Sequence, residues 1–205
     1  MNKVINEVPN TQKRIAITFD DGPNPIFTPK ILDIFAKVEG KATFFMIGEQ
    51  IDNYPDIARE VVRQGHEIGN HTYSHVNLTE LSPLECLNEV KRNENLIQKF
   101  TGTKPLVFRP PFLAYDEKTI SMLRERSYQM IGALNTDALD WEQPGVDFIL
   151  SKSRNHVKDG SILIFHDGYG YRSQTIEAVS VLVPELKSQG YELVTVSELL
   201  KAIHL

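Results

Sequence analysis

Ile162-Leu163-Ile164-Phe165 is an unbroken apolar run, introduced by the turn signal Asp159-Gly160 and followed by His166. A strand without polar alternation is covered on both faces, the condition of a parallel sheet layered with helices. The rest of the chain repeats this theme. Strand-like segments at 15–19, 42–47, 66–68, 106–108, 129–134, 161–165 and 191–196 alternate with helix-like segments after 28 and at 55–64, 82–100, 118–126, 146–155 and 173–189. Local signals mark the helix ends. Thr28-Pro29 reads as an N-cap with proline in the first turn. Ser82 and Glu85 are spaced as a capping box, and Gly65, Gly102 and Gly190 are placed as helix stops. Ser197 is expected to cap a last short helix. Ile176, Val179, Leu182, Val183 and Leu186 form one apolar stripe along the 173–189 helix.

Strands that alternate with helices, with little room for hairpins, form parallel β/α units wound in one direction. Seven strands fall one short of a closed eight-stranded barrel. The expected fold is therefore α/β: a distorted, incomplete (β/α) barrel of about seven parallel strands in a single domain. A doubly wound open sheet is the alternative that periodicity leaves open. Residues 1–13 are polar and are expected to be a loose lead-in to a catalytic domain over 14–205.

Composition sets the outer limits. With 24% charged and 41% hydrophobic residues, the chain is an ordinary globular sequence of one-domain length. A formal net charge of -5 gives no electrostatic case for nucleic acid or an anionic membrane surface. No stretch approaches the roughly 20 apolar residues needed to span a bilayer, so membrane insertion is not expected. No apolar run follows Met1-Asn2-Lys3, which suggests a cytoplasmic protein as written, or a secreted or cell-wall protein if a leader was trimmed. The single cysteine, Cys86, excludes an internal disulfide and reads as a packing residue.

The polar residues of interest follow strands. Asp20 and Asp21 follow the first, His71 and His75 the third, Arg109 the fourth, Asp137 and Asp140 the fifth, and His166 the sixth. In a parallel β/α barrel all these positions lie on the C-terminal face, where active sites are built. Adjacent carboxylates at Asp20-Asp21 repel in a dry site unless a cation relieves them; the bland reading is a solvated turn. His71 and His75 are four residues apart, which on a helical turn places both imidazoles on one face. Two histidines and one carboxylate make a three-ligand set with an open position. Zinc suits it, and Co2+ or another first-row ion could replace it. His166 ends an apolar strand and can serve as a proton donor; the bland reading is a backbone cap. Asp140-Trp141 could supply an orienting carboxylate and an apolar wall, although Trp141 could equally be core. Arg109 could pair with Asp20 or with a surface acid. Asp137 reads as a surface or capping residue, and His66, His156 and His204 as structural or solvent-exposed.

Taken in order, these segments resemble the five motifs of the polysaccharide deacetylases of carbohydrate esterase family 4, the NodB homology domain. Thr18-Phe19-Asp20-Asp21-Gly22-Pro23 matches the first, and His71-Thr72-Tyr73-Ser74-His75 the second. Arg109-Pro110-Pro111-Phe112, Asp137-Ala138-Leu139-Asp140-Trp141 and Ile164-Phe165-His166 are similar to the other three. The resemblance covers roughly 14–200. It implies a distorted β/α barrel, with Asp20 as catalytic base and Asp21, His71 and His75 holding one divalent ion. Arg109 would tether Asp20, and Asp140 would tune His166, the catalytic acid. The Phe112 N–H would hold an oxyanion. Trp141 and Ile164 would line an acetyl-methyl pocket, with Pro111 also contacting substrate. The implied partner is an N-acetylated glycan, peptidoglycan or chitin-like, with acetate released and the enzyme monomeric. An O-acetyl esterase acting on acetylated xylan and a non-catalytic sugar-binding module are the alternatives. Phe112 stands where the family commonly has tyrosine, Leu113 where glycine is usual, and Ile164 where leucine is usual.

Overall fold

Strand β1 (Arg14–Asp20) lies next to one end of a seven-stranded sheet. The computed structural model describes residues 4–9 and 13–201; His204 lies outside the described residues. Six strands run in the order β5-β4-β3-β2-β1-β6, and β7 pairs with the first residues of β1. These are β2 (Thr43–Met46), β3 (Glu67–Asn70), β4 (Val107–Phe108), β5 (Gln129–Met130), β6 (Ile162–His166) and β7 (Glu192–Leu193). Every strand pair is parallel. The helices are α1 (Thr28–Lys37), α2 (Gly48–Asn53), α3 (Pro55–Arg63), α4 (Pro83–Thr101), α5 (Glu117–Glu125), α6 (Val146–Arg154), α7 (Ser173–Ser188) and α8 (Val196–Lys201). Strands β1 to β5 progress in one direction and β6 returns beside β1. The arrangement is therefore a parallel half-barrel open between β5 and β6, not a doubly wound sheet. Among the described residues no helix is long and apolar enough to cross a membrane.

The alternation along β1 explains both the core and the site. Ile15, Ile17 and Phe19 point to the helix layer, packing with Phe35 of α1 and with Val179, Leu182 and Val183 of α7. Ala16 joins a smaller inner cluster with Phe45, Val107, Ile131 and Ile162. Thr18 and Asp20 share Ala16's face, because side chains alternate along a strand. Each buried outer residue contributes roughly 1.5–3 kcal/mol, so a one-residue slip that turned Asp20 into the helix layer would be heavily disfavoured. His66, just before β3, belongs to this layer. Its Nδ1 accepts the Ala42 N–H at 3.0 Å, and its ring lies edge-on to Phe35 and Phe44.

Several sequence expectations are corrected. Residues 4–9 do not form a loose lead-in. Ile5 bridges Ile131 and Glu7 bridges Ser161, so the segment enters the gap between the two ends of the sheet. Val8 is fully buried in the inner cluster. The fifth strand stops at Met130 because Ile131 and Gly132 turn to pair with Ile5. The seventh stops at Leu193 because Thr195 turns the chain into α8: its hydroxyl accepts Glu198 N–H at 3.2 Å while the Glu198 carboxylate accepts Thr195 N–H at 2.9 Å. Thr195, not Ser197, is thus the cap, and the Ser197 hydroxyl bonds Glu67 instead. Thr28 is the first residue of α1 and not its cap: the N-cap position is Phe27, without a side-chain cap, and Asn24 Oδ1 accepts the N–H groups of Ile26 and Phe27 in the turn ahead of the helix. The short helix α2 carries no signal strong enough to have been read from the sequence. The Ser82–Glu85 capping box is present, and α4 ends at Gly102 with a φ of 74°.

Candidate active site

The inner face of the half-barrel carries the chemistry at its C-terminal rim. Asp20 and His166 are register partners on β1 and β6, so their side chains leave the sheet side by side. Arg109 follows β4 and lies beneath Asp20 with no exposure. Its Nη1 donates to Asp20 Oδ1 and to Thr18 Oγ1, each at 2.7 Å, and its Nη2 donates to Gly132 O at 2.7 Å. The guanidinium also rests on the Phe45 ring, 4.2 Å from its centroid. Arg109 thereby fixes one Asp20 oxygen and leaves the other without a guanidinium partner.

The loops after β1 and β3 bring together Asp21, His71 and His75, whose donor atoms all lie within 4.8 Å of one another. His71 Nε2 is 3.4 Å and His75 Nε2 is 3.2 Å from Asp21 Oδ1. That oxygen is buried and has no conventional hydrogen-bond partner. His71 Nδ1 stands 2.6 Å from Arg109 O. A carbonyl only accepts, so the proton sits on Nδ1 and the Nε2 lone pair faces Asp21. Lone pairs converging in this way require a shared proton or a cation. Two ligands about 2.0–2.1 Å from one tetrahedral centre lie roughly 3.3 Å apart, the separation seen here, so the donor set fits a single ion. Burial alone would raise the Asp21 pKa; where the shared proton is present in place of a cation, hydrogen bonds from His71 and His75 and the charges of His71 and His166 outweigh burial and hold the carboxyl far below its usual range.

The two imidazoles converge, with ring centroids 5.0 Å apart, but not on a helical turn as the spacing suggested. Residues 71–75 form an irregular loop with positive φ at Thr72 (65°) and His75 (58°). Side chains impose that shape. Asn70 Oδ1 accepts Thr72 N–H at 3.0 Å, and Thr72 Oγ1 accepts His75 N–H at 3.0 Å. Glu89 of α4 accepts the N–H groups of Tyr73 and Ser74 at 3.0 and 2.9 Å. Among the described residues, seven of the ten non-glycine residues with positive φ lie on the loops of this site: Asp21, Thr72, His75, Phe112, Leu113, Leu139 and Tyr169. Strained backbone is concentrated where the side chains must converge.

His166 is held from behind by Asp140. Its Nδ1 lies 2.8 Å from Asp140 Oδ1, and its N–H donates to Asp140 Oδ2 at 2.8 Å. The Thr175 hydroxyl donates to the same carboxylate at 3.0 Å. Burial pulls the His166 pKa down, but the charge and hydrogen bond of Asp140, with Asp20 and Asp21 beyond, raise it to about 9. The imidazole is therefore protonated at neutral pH. Trp141 is exposed and stands edge-on to His166 at 5.3 Å.

A cleft of about 510 Å³ opens above these groups, lined by Asp20, Asp21, His71, His75, His166, Trp141, Ile164 and Phe112 among others. Pro111 does not line it. The short turn at 111–113 buries Pro111 and leaves Pro110, Phe112 and Leu113 at the wall. Asp137 lies apart from the cleft, paired with Lys152 and His156. Cys86 is buried and donates to Leu78 O. Sequence reasoning missed three residues on the segment after His166. Tyr169 and Arg172 line the cleft. Asp167 is fully buried and accepts from the Thr28 hydroxyl, and burial, opposed by that hydrogen bond, raises its pKa to about 7. The glycine-flanked Tyr169 was the available signal. Gly168 is required there, because a Cβ would meet Asp21 O at 1.9 Å.

The geometry defines a class: a β/α half-barrel with a candidate one-ion site, a carboxylate and a protonated imidazole at its mouth. Comparison with known proteins narrows it. The polysaccharide deacetylase family matches over residues 7–131. A peptidoglycan-N-acetylglucosamine deacetylase of Bacillus cereus is 41% identical over 199 residues, covering 97% of this chain and 93% of that protein. The peptidoglycan-N-acetylmuramic acid deacetylase PdaC of Bacillus subtilis is 37% identical over 188 residues, covering 92% of this chain and 39% of that protein. Among solved structures, the Bc1960 peptidoglycan N-acetylglucosamine deacetylase superposes with a TM-score of 0.89 at 31% identity, covering 94% of this chain and 90% of that one. The chain belongs to the polysaccharide deacetylase family.

Proposed function

We propose that this protein removes the acetyl group from N-acetylglucosamine units of a peptidoglycan-like or chitin-like glycan, with Asp21, His71 and His75 holding one divalent ion, zinc in the first instance. The observation that carries the reading is that Asp20 and His166 face one cleft from neighbouring strands, with the three donor atoms beside them. When bound, the ion supplies a Lewis acid that polarises the acetamido carbonyl and lowers the pKa of a water.

The chain's own groups divide the remaining work. Asp20 takes a proton from the attacking water as the water oxygen bonds to the carbonyl carbon; Arg109 holds the carboxylate in place for this. The Phe112 N–H, which has no acceptor among the described residues, donates to the oxyanion, an interaction worth about 3–4 kcal/mol. His166 delivers its proton to the amide nitrogen as the C–N bond breaks, so acetate and an amine leave. Trp141 and Ile164 enclose the acetyl methyl and keep water from the leaving side.

The test is acetate release and mass spectrometry of N-acetylglucosamine oligomers, peptidoglycan and acetylxylan, with and without chelator. Chelator-sensitive loss of acetyl groups from the first two is expected. Acetate from acetylxylan alone would transfer the reading to O-acetyl esters, and release from none would leave a binding module.

A further inference from the structure

We propose that Tyr169 and Tyr171 form a second glycan contact beside the cleft, an aromatic strip that receives a neighbouring sugar unit of the chain being deacetylated. Tyr169 is 43% exposed, lines the cleft, and packs against the His75 ring at 5.5 Å. Tyr171 is 71% exposed and stands edge-on to buried Phe27 at 5.8 Å. Next in sequence to Phe27, Ile26 is 58% exposed. Isolated exposed apolar residues need no explanation, but two exposed tyrosines on one short segment at the cleft do. Tyr169 and Tyr171 are two residues apart, so their Cα atoms lie at most about 7 Å from each other, within the reach of one sugar unit. Sugar rings present C–H faces to aromatic rings and hydroxyls to the rim, and tyrosine offers both an apolar body and a polar tip.

The strip is held in place before any ligand arrives. Asp167 and Gly168 donate their N–H groups to Asp20 O at 3.1 and 3.3 Å. Arg172, only 7% exposed, donates from Nε to Gly168 O at 2.7 Å and from Nη1 to Trp141 O at 2.9 Å. The segment bearing both tyrosines is thus stapled to the backbone of the proton acceptor on one side and to the Trp141 wall on the other. Pre-ordered aromatic contacts cost little to engage.

The occupant follows from continuity with the cleft: a glycan whose acetamido group enters at Asp21 has its next unit over Tyr169 and Tyr171. The ligand's identity rests on the deacetylase reading, so the experiment separates the two. Binding of N-acetylglucosamine and of its dimer is measured by fluorescence titration with the metal-loaded full chain carrying Asp20→Asn to stop turnover. The dimer is expected to bind about tenfold more tightly than the single sugar, an advantage of the size one aromatic stack confers. Adding Tyr171→Ala should reduce that ratio to near one, while Tyr171→Phe should retain most of it. An unchanged ratio in the alanine variant, or no length dependence in the parent, overturns the strip. If the ratio behaves as expected but the unmodified metal-loaded protein releases no acetate, the strip stands and the deacetylase reading falls.

Discussion

Asp20 and His166 are register partners on adjacent strands, yet their side chains are braced by different residues, Asp20 by Arg109 and His166 by Asp140. Each brace fixes its partner's orientation, and the Asp140 carboxylate also favours a charged His166 imidazole. One strand pair therefore presents a carboxylate and a protonated imidazole to the same cleft.

Removing either group should separate turnover from metal binding, because neither belongs to the Asp21–His71–His75 set. Asp20→Asn and His166→Ala are each expected to lower kcat by about 10²–10⁴-fold while zinc stoichiometry and affinity, read by calorimetry, stay near those of the parent. A variant that lost its metal together with its activity would contradict the division of labour.

The pH profile follows from the His166 environment. A proton donor is competent only while protonated, and its pKa is raised to about 9. Activity should therefore persist through neutral pH and decline as pH rises through about 9. Asp140→Asn removes the main charge that opposes burial, so the alkaline limb of kcat/KM should move to lower pH. An alkaline limb that stayed fixed in this variant would mean that another group governs it.

The 71–75 loop depends on a residue outside the cleft. Glu89 binds two successive N–H groups of the strained 71–75 segment and, through Oε1, the Ser74 hydroxyl at 2.9 Å. Glu89→Ala leaves the three ligands in place but releases the loop that aims them. Groups that support metal ligands typically matter by 10–100-fold in affinity. Zinc affinity measured by chelator competition should fall within that range, and saturating zinc should restore most of the activity.

Much of this was legible in the sequence, for a physical reason. The parallel half-barrel was readable because β6 is apolar on both faces and because α4 carries its own capping box and glycine stop. The convergence of these side chains was readable because a parallel barrel gathers strand ends on one rim, so Asp20, His71, Arg109 and His166 had to meet. What stayed hidden depended on contacts between distant segments. Ile5 and Val8 look like a polar tail until the gap between β5 and β6 supplies partners. His71 and His75 have helical spacing, but Asn70, Thr72 and Glu89 impose a loop. Arg172 is one arginine among many until its hydrogen bonds to Gly168 and Trp141 are seen.

His66 offers a test of the fold that is independent of catalysis. Burial, assisted by the Lys41 charge, lowers its pKa from 6.5 to about 4. Its Nδ1 is already committed as an acceptor to Ala42 N–H, which protonation would forbid. The unfolded chain binds this proton more readily than the folded one, so stability is fully present above pH 6.5 and declines as pH falls toward 4. The loss from this group should reach about 2 kcal/mol by pH 5 and about 3 kcal/mol below pH 4. Urea denaturation at pH 7 and pH 5 measures it, with His66→Gln as the control that removes the titration. If the parent and the glutamine variant lost the same stability on acidification, His66 would not be the buried neutral acceptor described here.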